Sequence, residues 1–237
     1  MYLVFSSNCV NVMLKAVIFD LHGTLIRAVG EVPDFAVSEY LVSRGYDVSP
    51  QQFHAGLVFT VFVDYPRYGY GSWREFLGHV LEVIGVVVDE DTLEGLTAMF
   101  RECRYELYPD ALNAIPRVRE LGLKTVVATT TPRFMFYKYL EPIEECLDLV
   151  VTGFEAGCDK SNPRMYTCIL EQLGARPEEV VVVGDNPLLD VEIPLRLGMH
   201  AILLDRRGVR RGKHRFVVKD LNEAVAIIRE LLQASSP

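Results

Sequence analysis

The chain has 237 residues, half of them hydrophobic, which suits one core domain with a modest insertion and excludes a disordered protein. A formal net charge of −8 disfavours nucleic acid and anionic membranes as partners, and no apolar run is long enough to span a bilayer. A small phosphorylated substrate stays compatible with this charge, because a bound divalent cation reverses the local field. The oligomeric state is left open.

The five cysteines show neither a C-x-x-C pair nor zinc-ligand spacing. They indicate free thiols in a reducing, cytoplasmic compartment, with the cytosolic disulfides of a hyperthermophile as the alternative. The first twelve residues lack a basic start and a cleavage site, so we do not predict a signal peptide. Three interpretations of this segment are left open: an edge strand, a disordered tail, or a start-site artefact in which the chain begins at Met13.

A short apolar run from Leu14 to Phe19 predicts a buried strand that ends at Asp20. The carboxyl end of a strand in an open α/β sheet faces the crevice where ligands bind. Asp20 is therefore a candidate nucleophile or metal ligand, although an aspartate that only caps a turn would give the same pattern. Gly23 allows the backbone to turn closely around whatever binds there.

The sequence pattern of a strand is lost after Thr24. From there to about Tyr108 the spacing of apolar residues predicts helices. They include residues 32–44, a helix that starts at Ser72, and residues 91–105. Helices between two α/β segments indicate an inserted helical subdomain. This region also holds an aromatic cluster that either lines a substrate site or packs as core, and packing is the more usual role. The cluster consists of Tyr65, Tyr68, Tyr70 and Trp73.

The second half alternates strands with helices, which predicts an α/β fold with a doubly wound, mostly parallel sheet. The helix after Tyr108 is expected to be capped by Asp110 or Asn113, and the basic run 206–215 is expected to be a solvated connection rather than a polyanion site. The predicted strands are residues 124–128, 148–152, 179–183 and 200–204, and further helices are predicted to begin at residues 161–163 and to cover residues 221–232.

Polar residues follow these strands at the expected ligand-binding edge. Thr129 and Thr130 offer hydroxyl donors, although such residues equally serve as caps in a strand-to-helix turn. Lys160 stands just before a helix. Asp185 follows another strand, with Asp190 five residues later, and such hard oxygen ligands suit Mg²⁺.

These segments, in this order, resemble the four motifs of the haloacid dehalogenase superfamily of phosphohydrolases. The residues that carry the resemblance are Asp20-Leu21-His22-Gly23-Thr24-Leu25, Thr129, Lys160 with Asn162-Pro163, and Gly184-Asp185 with Asp190. The resemblance implies a Rossmann-like core of residues 1–28 and 108–237, with residues 29–107 forming a helical cap.

The resemblance further implies a Mg²⁺-dependent phosphatase acting on a small phosphorylated substrate, with Asp20 as nucleophile. Asp20, Asp185 and the backbone carbonyl of His22 would hold the metal. Thr129, Thr130 and Lys160 would bind the phosphoryl group, and Lys160 would also assist catalysis.

His22 occupies the position of the usual general acid, which is an aspartate in the family. Protonated at slightly acid pH, it would donate to the leaving oxygen; otherwise it is a bystander in a slow enzyme. A metal-free carbon–halogen hydrolase and a non-catalytic binding module with a decayed site are the alternative functions.

Overall fold

The computed structural model describes residues 13–209 and 214–234. The expectations for residues 1–12, for residues 210–213 of the basic run and for the last three residues lie outside this part of the chain. No helix within the described residues is long and apolar enough to cross a membrane.

Six parallel strands form the main sheet, in the order β5–β4–β1–β6–β7–β8, and β2 and β3 form a separate antiparallel ribbon. Strands β1 and β6 lie at its centre and are completely buried, as their continuous apolar runs require in a sheet covered on both faces. The strands are β1 (Ala16–Phe19), β2 (Ile26–Gly30), β3 (Arg104–Leu107), β4 (Lys124–Ala128), β5 (Leu149–Val151), β6 (Val180–Gly184), β7 (His200–Leu204) and β8 (Val217–Val218).

Helices cover both faces of this sheet, which confirms the doubly wound α/β prediction. Ile115 and Ile228 pack on one face, and Tyr166 and Ile169 pack on the other. The helices are α1 (Asp34–Ser43), α2 (Pro50–Phe59), α3 (Tyr65–Tyr68), α4 (Trp73–Val83), α5 (Glu90–Arg101), α6 (Pro109–Glu120), α7 (Arg133–Phe136), α8 (Gly153–Ala156), α9 (Arg164–Leu173), α10 (Ile193–Arg196) and α11 (Leu221–Ala234). Residues Thr60–Asp64 and Pro187–Glu192 are π-helical, whereas Tyr137–Cys146 and Pro177–Glu179 are 3₁₀-helical.

Helices α1, α2, α4 and α5 pack around a separate hydrophobic core that includes Leu41, Phe53, Leu77 and Phe100, and Met135 of α7 also belongs to it. Trp73 of the aromatic cluster packs in this core against Phe76, Phe100 and Phe134. Tyr65 is also buried, whereas Tyr68 is exposed.

The sequence prediction was wrong between Thr24 and Tyr108 in one respect. Residues 26–30 form β2, which pairs with β3 in an antiparallel ribbon that joins the helical segment to the sheet. The helix predicted for residues 91–105 therefore ends at Arg101, and Tyr105 lies on β3. Only Ile26 of β2 is buried, so its sequence lacks the apolar alternation that marks a strand.

The expected cap of the helix after Tyr108 was also wrong. Tyr108 itself is the capping residue, Pro109 begins α6, and Asp110 and Asn113 lie inside it. Proline is favoured at the first helical position because it has no backbone N–H to leave unpaired. The carboxylate of Asp110 is thus available for the contact with Arg206 described below.

Candidate active site

The loop after β1 brings two aspartates together. The amide of Asp20 donates to the carbonyl of Val183 at 2.9 Å, which extends the pairing of β1 with β6 by one residue. Gly23 adopts φ +78°, and a Cβ built on it would lie 2.4 Å from Oδ2 of Asp185. Only glycine fits such a close approach in the left-handed region, so this residue allows the loop to pass directly over Asp185.

Three carboxylates converge at this edge of the sheet. Asp20, Asp185 and Asp190 each place one oxygen within 4.8 Å of the others. Asp190 is fully buried in the π-helical segment after β6. Its side chain packs against Gly184, and a Cβ built on that glycine would lie 2.3 Å from the carboxyl carbon of Asp190. The second carboxylate of the last motif is therefore part of the cluster, whereas the family resemblance assigned only Asp185 of this motif to the metal.

Lys160 lies between two of these carboxylates. Its Nζ donates to Oδ1 of Asp20 at 2.7 Å and to Oδ1 of Asp190 at 2.5 Å, and the residue is 3% exposed. Burial alone would lower the pKa of Lys160, but Asp190 and Asp20 outweigh it and hold that pKa well above its usual value. The lysine is therefore charged.

The environment of Asp190 disfavours the charged form of its carboxyl group. Burial raises the pKa of Asp190, Lys160 opposes this effect, and the charge of Asp20 adds to it. Tyr166 donates to the carbonyl of Leu189 at 2.7 Å and lies 3.4 Å from Oδ1 of Asp190. Three ionised carboxylates face one charged lysine in this cluster, so two negative charges remain, which a divalent cation would neutralise. Carboxylate oxygens are also the donors that Mg²⁺ prefers, so the residues present fit this ion.

The predicted hydroxyl donors lie at the end of β4. The register of β4 with β1 pairs Val127 with Phe19, which places Thr129 beside the Asp20 loop. Thr129 is buried, and its Oγ1 accepts a hydrogen bond from the amide of Thr131 at 3.2 Å. Thr130 is half-buried, and no hydrogen bond of its side chain is found among the described residues.

The ring of His22 packs against an aromatic side chain. Its ring makes an edge contact with the ring of Tyr105, with the centroids 5.1 Å apart. Burial lowers the pKa of His22 to about 4, although Glu31 opposes this shift. A group with that pKa is protonated in roughly one molecule in a hundred at pH 6, so the ring is a poor proton donor there.

Arg206 supports the loop and was missed by the sequence interpretation. It donates to the carbonyls of Gly23 at 3.1 Å and Thr24 at 2.7 Å, and forms two hydrogen bonds with Asp110 at 2.8 and 3.1 Å. Its guanidinium also lies 3.7 Å from the centroid of the Tyr108 ring. The expectation of a solvated connection is therefore wrong at this residue, which is the first of the basic run.

A tyrosine connects the helical segment to the sheet. The Tyr65 hydroxyl lies 2.8 Å from Oγ1 of Thr152 and accepts a hydrogen bond from the amide of Arg133 at 3.3 Å. Because Thr152 donates its own proton to Glu155, the hydroxyl of Tyr65 is the donor in the first contact. These bonds fix α3 against the loops that follow β4 and β5.

The fold and this edge define an α/β enzyme with an acidic site that contains a buried lysine. A model of the haloacid dehalogenase-like hydrolase family matches residues 14–198, and the chain belongs to that family of hydrolases. The predicted family and fold class are thus confirmed.

Curated relatives include two phosphatases. The chain is 25% identical to a glyceraldehyde 3-phosphate phosphatase of Methanopyrus kandleri, over 92% of this chain and 99% of that protein. It is 35% identical to a phosphoserine phosphatase of Thermus thermophilus, over 48% of this chain and 46% of that protein. The L-2-haloacid dehalogenase of Xanthobacter autotrophicus has a similar structure, with a TM-score of 0.61, 21% identity and coverage of 92% and 99%. That likeness concerns the fold alone.

Proposed function

We propose that the protein is a Mg²⁺-dependent phosphomonoesterase that acts on a small phosphorylated metabolite through an aspartyl-phosphate on Asp20. The observation that carries this proposal is the position of Asp185, which shares one cluster of oxygens with Asp20 beside the buried Lys160. A metal-free dehalogenase needs the nucleophile and the lysine but gains nothing from Asp185. The names of the two curated relatives support the same class of reaction.

Mg²⁺ would be held by Asp20, Asp185 and the carbonyl of His22, and when bound it would neutralise charge on the phosphoryl oxygens. A carboxylate oxygen of Asp20 attacks phosphorus, the bond from phosphorus to the ester oxygen breaks, and the departing oxygen takes a proton from solvent water. Lys160 lowers the repulsion between the two anions, and the hydroxyl of Thr129, with that of Thr130, would donate to phosphoryl oxygens.

Water then attacks phosphorus, which releases phosphate and restores the carboxylate of Asp20. With a pKa of about 4, His22 is neutral near pH 7 and is available to accept a proton from that water. The same pKa means that the ring is rarely protonated and so seldom donates to the leaving alcohol in the first step, and that it is a weak base in the second. We therefore expect esters with good leaving groups to be the faster substrates.

We also propose that residues 29–107 act as a cap on the core formed by residues 1–28 and 108–237. The hydrophobic core formed mainly by α1, α2, α4 and α5, which is distinct from the cores on the two faces of the sheet, supports this division. Caps of this kind exclude water and gate access to the site. A reducing, cytoplasmic location is a further proposal, supported by four free cysteines among the described residues.

Release of phosphate from an aryl ester, with and without Mg²⁺, tests the function. Asp20→Asn should reduce turnover at least a thousandfold, because an amide is a poor nucleophile, and should remove the phosphoryl adduct seen on Asp20 by mass spectrometry. The exposed Asp47→Asn is the matched control and should change turnover less than twofold. Full activity in excess chelator would contradict the metal requirement, and chloride release from a haloacid under those conditions would support the dehalogenase instead.

A further inference from the structure

A cavity of about 490 Å³ lies between the helical segment and the β2–β3 ribbon. Its walls are mainly apolar and include Leu57, Val61, Trp73 and Phe100. The volume is typical of sites for small organic ligands, which are usually lined by aliphatic and aromatic side chains.

This cavity begins beside the candidate active site. Tyr105 lines it, and the ring of Tyr105 makes an edge contact with the ring of His22, two residues after Asp20. Met135 also lines it, in the segment that continues from Thr129. The cavity therefore lies next to an aromatic ring that contacts His22 in the Asp20 loop.

In-line attack on phosphorus determines where the leaving group must lie. The attacking oxygen of Asp20 and the departing ester oxygen are on opposite sides of phosphorus. The alcohol part of a substrate thus points away from Asp20 and the end of β1.

We propose that this cavity binds the alcohol part of the substrate, and that the protein prefers phosphate monoesters of apolar alcohols without negative charge, with an aromatic ring or a branched chain. The inference rests on the proposed phosphohydrolase function and adds the substrate class. Burial of the alcohol against the apolar walls would supply the binding energy.

The charges that line the cavity oppose an anionic alcohol. Glu31 and Asp34 line it, and Asp34 pairs with Nδ1 of His54 at 2.9 Å. No lysine or arginine is among its described lining residues. A carboxylate on the substrate would lose water there and meet like charge without a fixed cation to pair with.

Calorimetric titration with phosphonates, which are not hydrolysed, tests the size and polarity of the site in the presence of MgCl₂. Benzylphosphonate should bind at least tenfold more tightly than methylphosphonate. Leu57→Trp should abolish that difference by filling the cavity, whereas Phe59→Trp, on the same helix but outside the lining, should preserve it. Equal binding of the two phosphonates to the unmodified protein overturns the inference.

The charge preference is tested with 4-carboxybenzylphosphonate. It should bind at least fivefold more weakly than benzylphosphonate, and Glu31→Gln should reduce this ratio at least twofold. Glu39→Gln, an exposed control on α1, should leave the ratio unchanged. A carboxylated analogue that binds as tightly as the neutral one overturns the proposed substrate class.

Measurements of hydrolysis, set beside the binding data, distinguish a failure of this inference from a failure of the proposed function. Hydrolysis of acetyl phosphate that depends on Asp20, together with equal binding of benzyl and methyl phosphonates, would retain the phosphohydrolase and refute the cavity as its substrate site. Selective binding of benzylphosphonate without hydrolysis of benzyl phosphate or any other ester would instead refute the phosphohydrolase.

Discussion

Replacement of Arg206 by methionine removes the support of the Asp20 loop while keeping an unbranched side chain. Arg206 is 19% exposed in its side chain and Asp110 is 13% exposed, so the ion pair between them is mostly shielded from water. Breaking a buried pair by removing one partner costs about 3–5 kcal/mol, because the other charge is left without compensation. Asp110 keeps its hydrogen bond from the amide of Leu221 at 2.8 Å, so we expect a loss near the lower end, about 3 kcal/mol.

Unfolding in urea, followed by circular dichroism, measures this loss against a matched control. Arg196→Met removes a different arginine, which is 74% exposed and pairs with Glu192 at 3.2 Å. Exposed pairs contribute about 0–1 kcal/mol, so this variant should unfold near the concentration of the unmodified protein. A loss below about 1 kcal/mol for Arg206→Met, or equal losses for the two variants, would refute the assigned role.

Three further predictions concern the site and its neighbour, the helical segment. Asp185→Ala should chiefly raise the Mg²⁺ concentration for half-maximal activity, as measured by titration with an aryl phosphate; an unchanged requirement would argue against Asp185 as a ligand. His22→Asp should raise turnover of an alkyl ester at least tenfold and of an aryl ester much less, because only the alkyl leaving group needs acid assistance. Equal effects on both esters would contradict that reasoning. Tyr65→Phe removes the hydrogen bond to Thr152, worth about 1 kcal/mol, and should speed limited proteolysis at the ribbon several-fold; the conservative Tyr68→Phe, at an exposed tyrosine, should not.

The parts of the fold that the sequence predicted are those with a strong local signal. Strands β1 and β6 are continuous apolar runs, and Asp20 and Asp185 follow them directly, so both the strands and the convergence of these carboxylates were predictable. Lys160 was predicted from its place in the motif order, and the structure shows its contacts with Asp20 and Asp190.

The parts that were missed depend on partners far along the chain. Strand β2 exists because it pairs with β3, and its own residues are mostly exposed. Arg206 belongs to a run of basic residues that is typical of a solvated loop, and only the folded chain brings Asp110 and Tyr108 to it. The N-cap position of α6 at Tyr108 was missed because aspartate and asparagine are preferred capping residues, which favoured Asp110 and Asn113.

The central position of β1 has a consequence for how the chain folds. Its first residue, Ala16, pairs with Lys124 on one side and Val180 on the other. The first described strand can therefore pair in the sheet only with residues from the second half of the chain. Proteins dominated by such distant pairings fold slowly, since loop-closure entropy is lost before the contacts form. During synthesis the edge of this apolar strand stays open until β4 has emerged, and transiently unpaired strands of this kind are prone to aggregation. The Asp20 loop is completed later still, because its bond to Arg206 spans 182 residues. Asp20 therefore lies on the first described strand, while the contacts that complete its loop come from residues near the other end of the described chain.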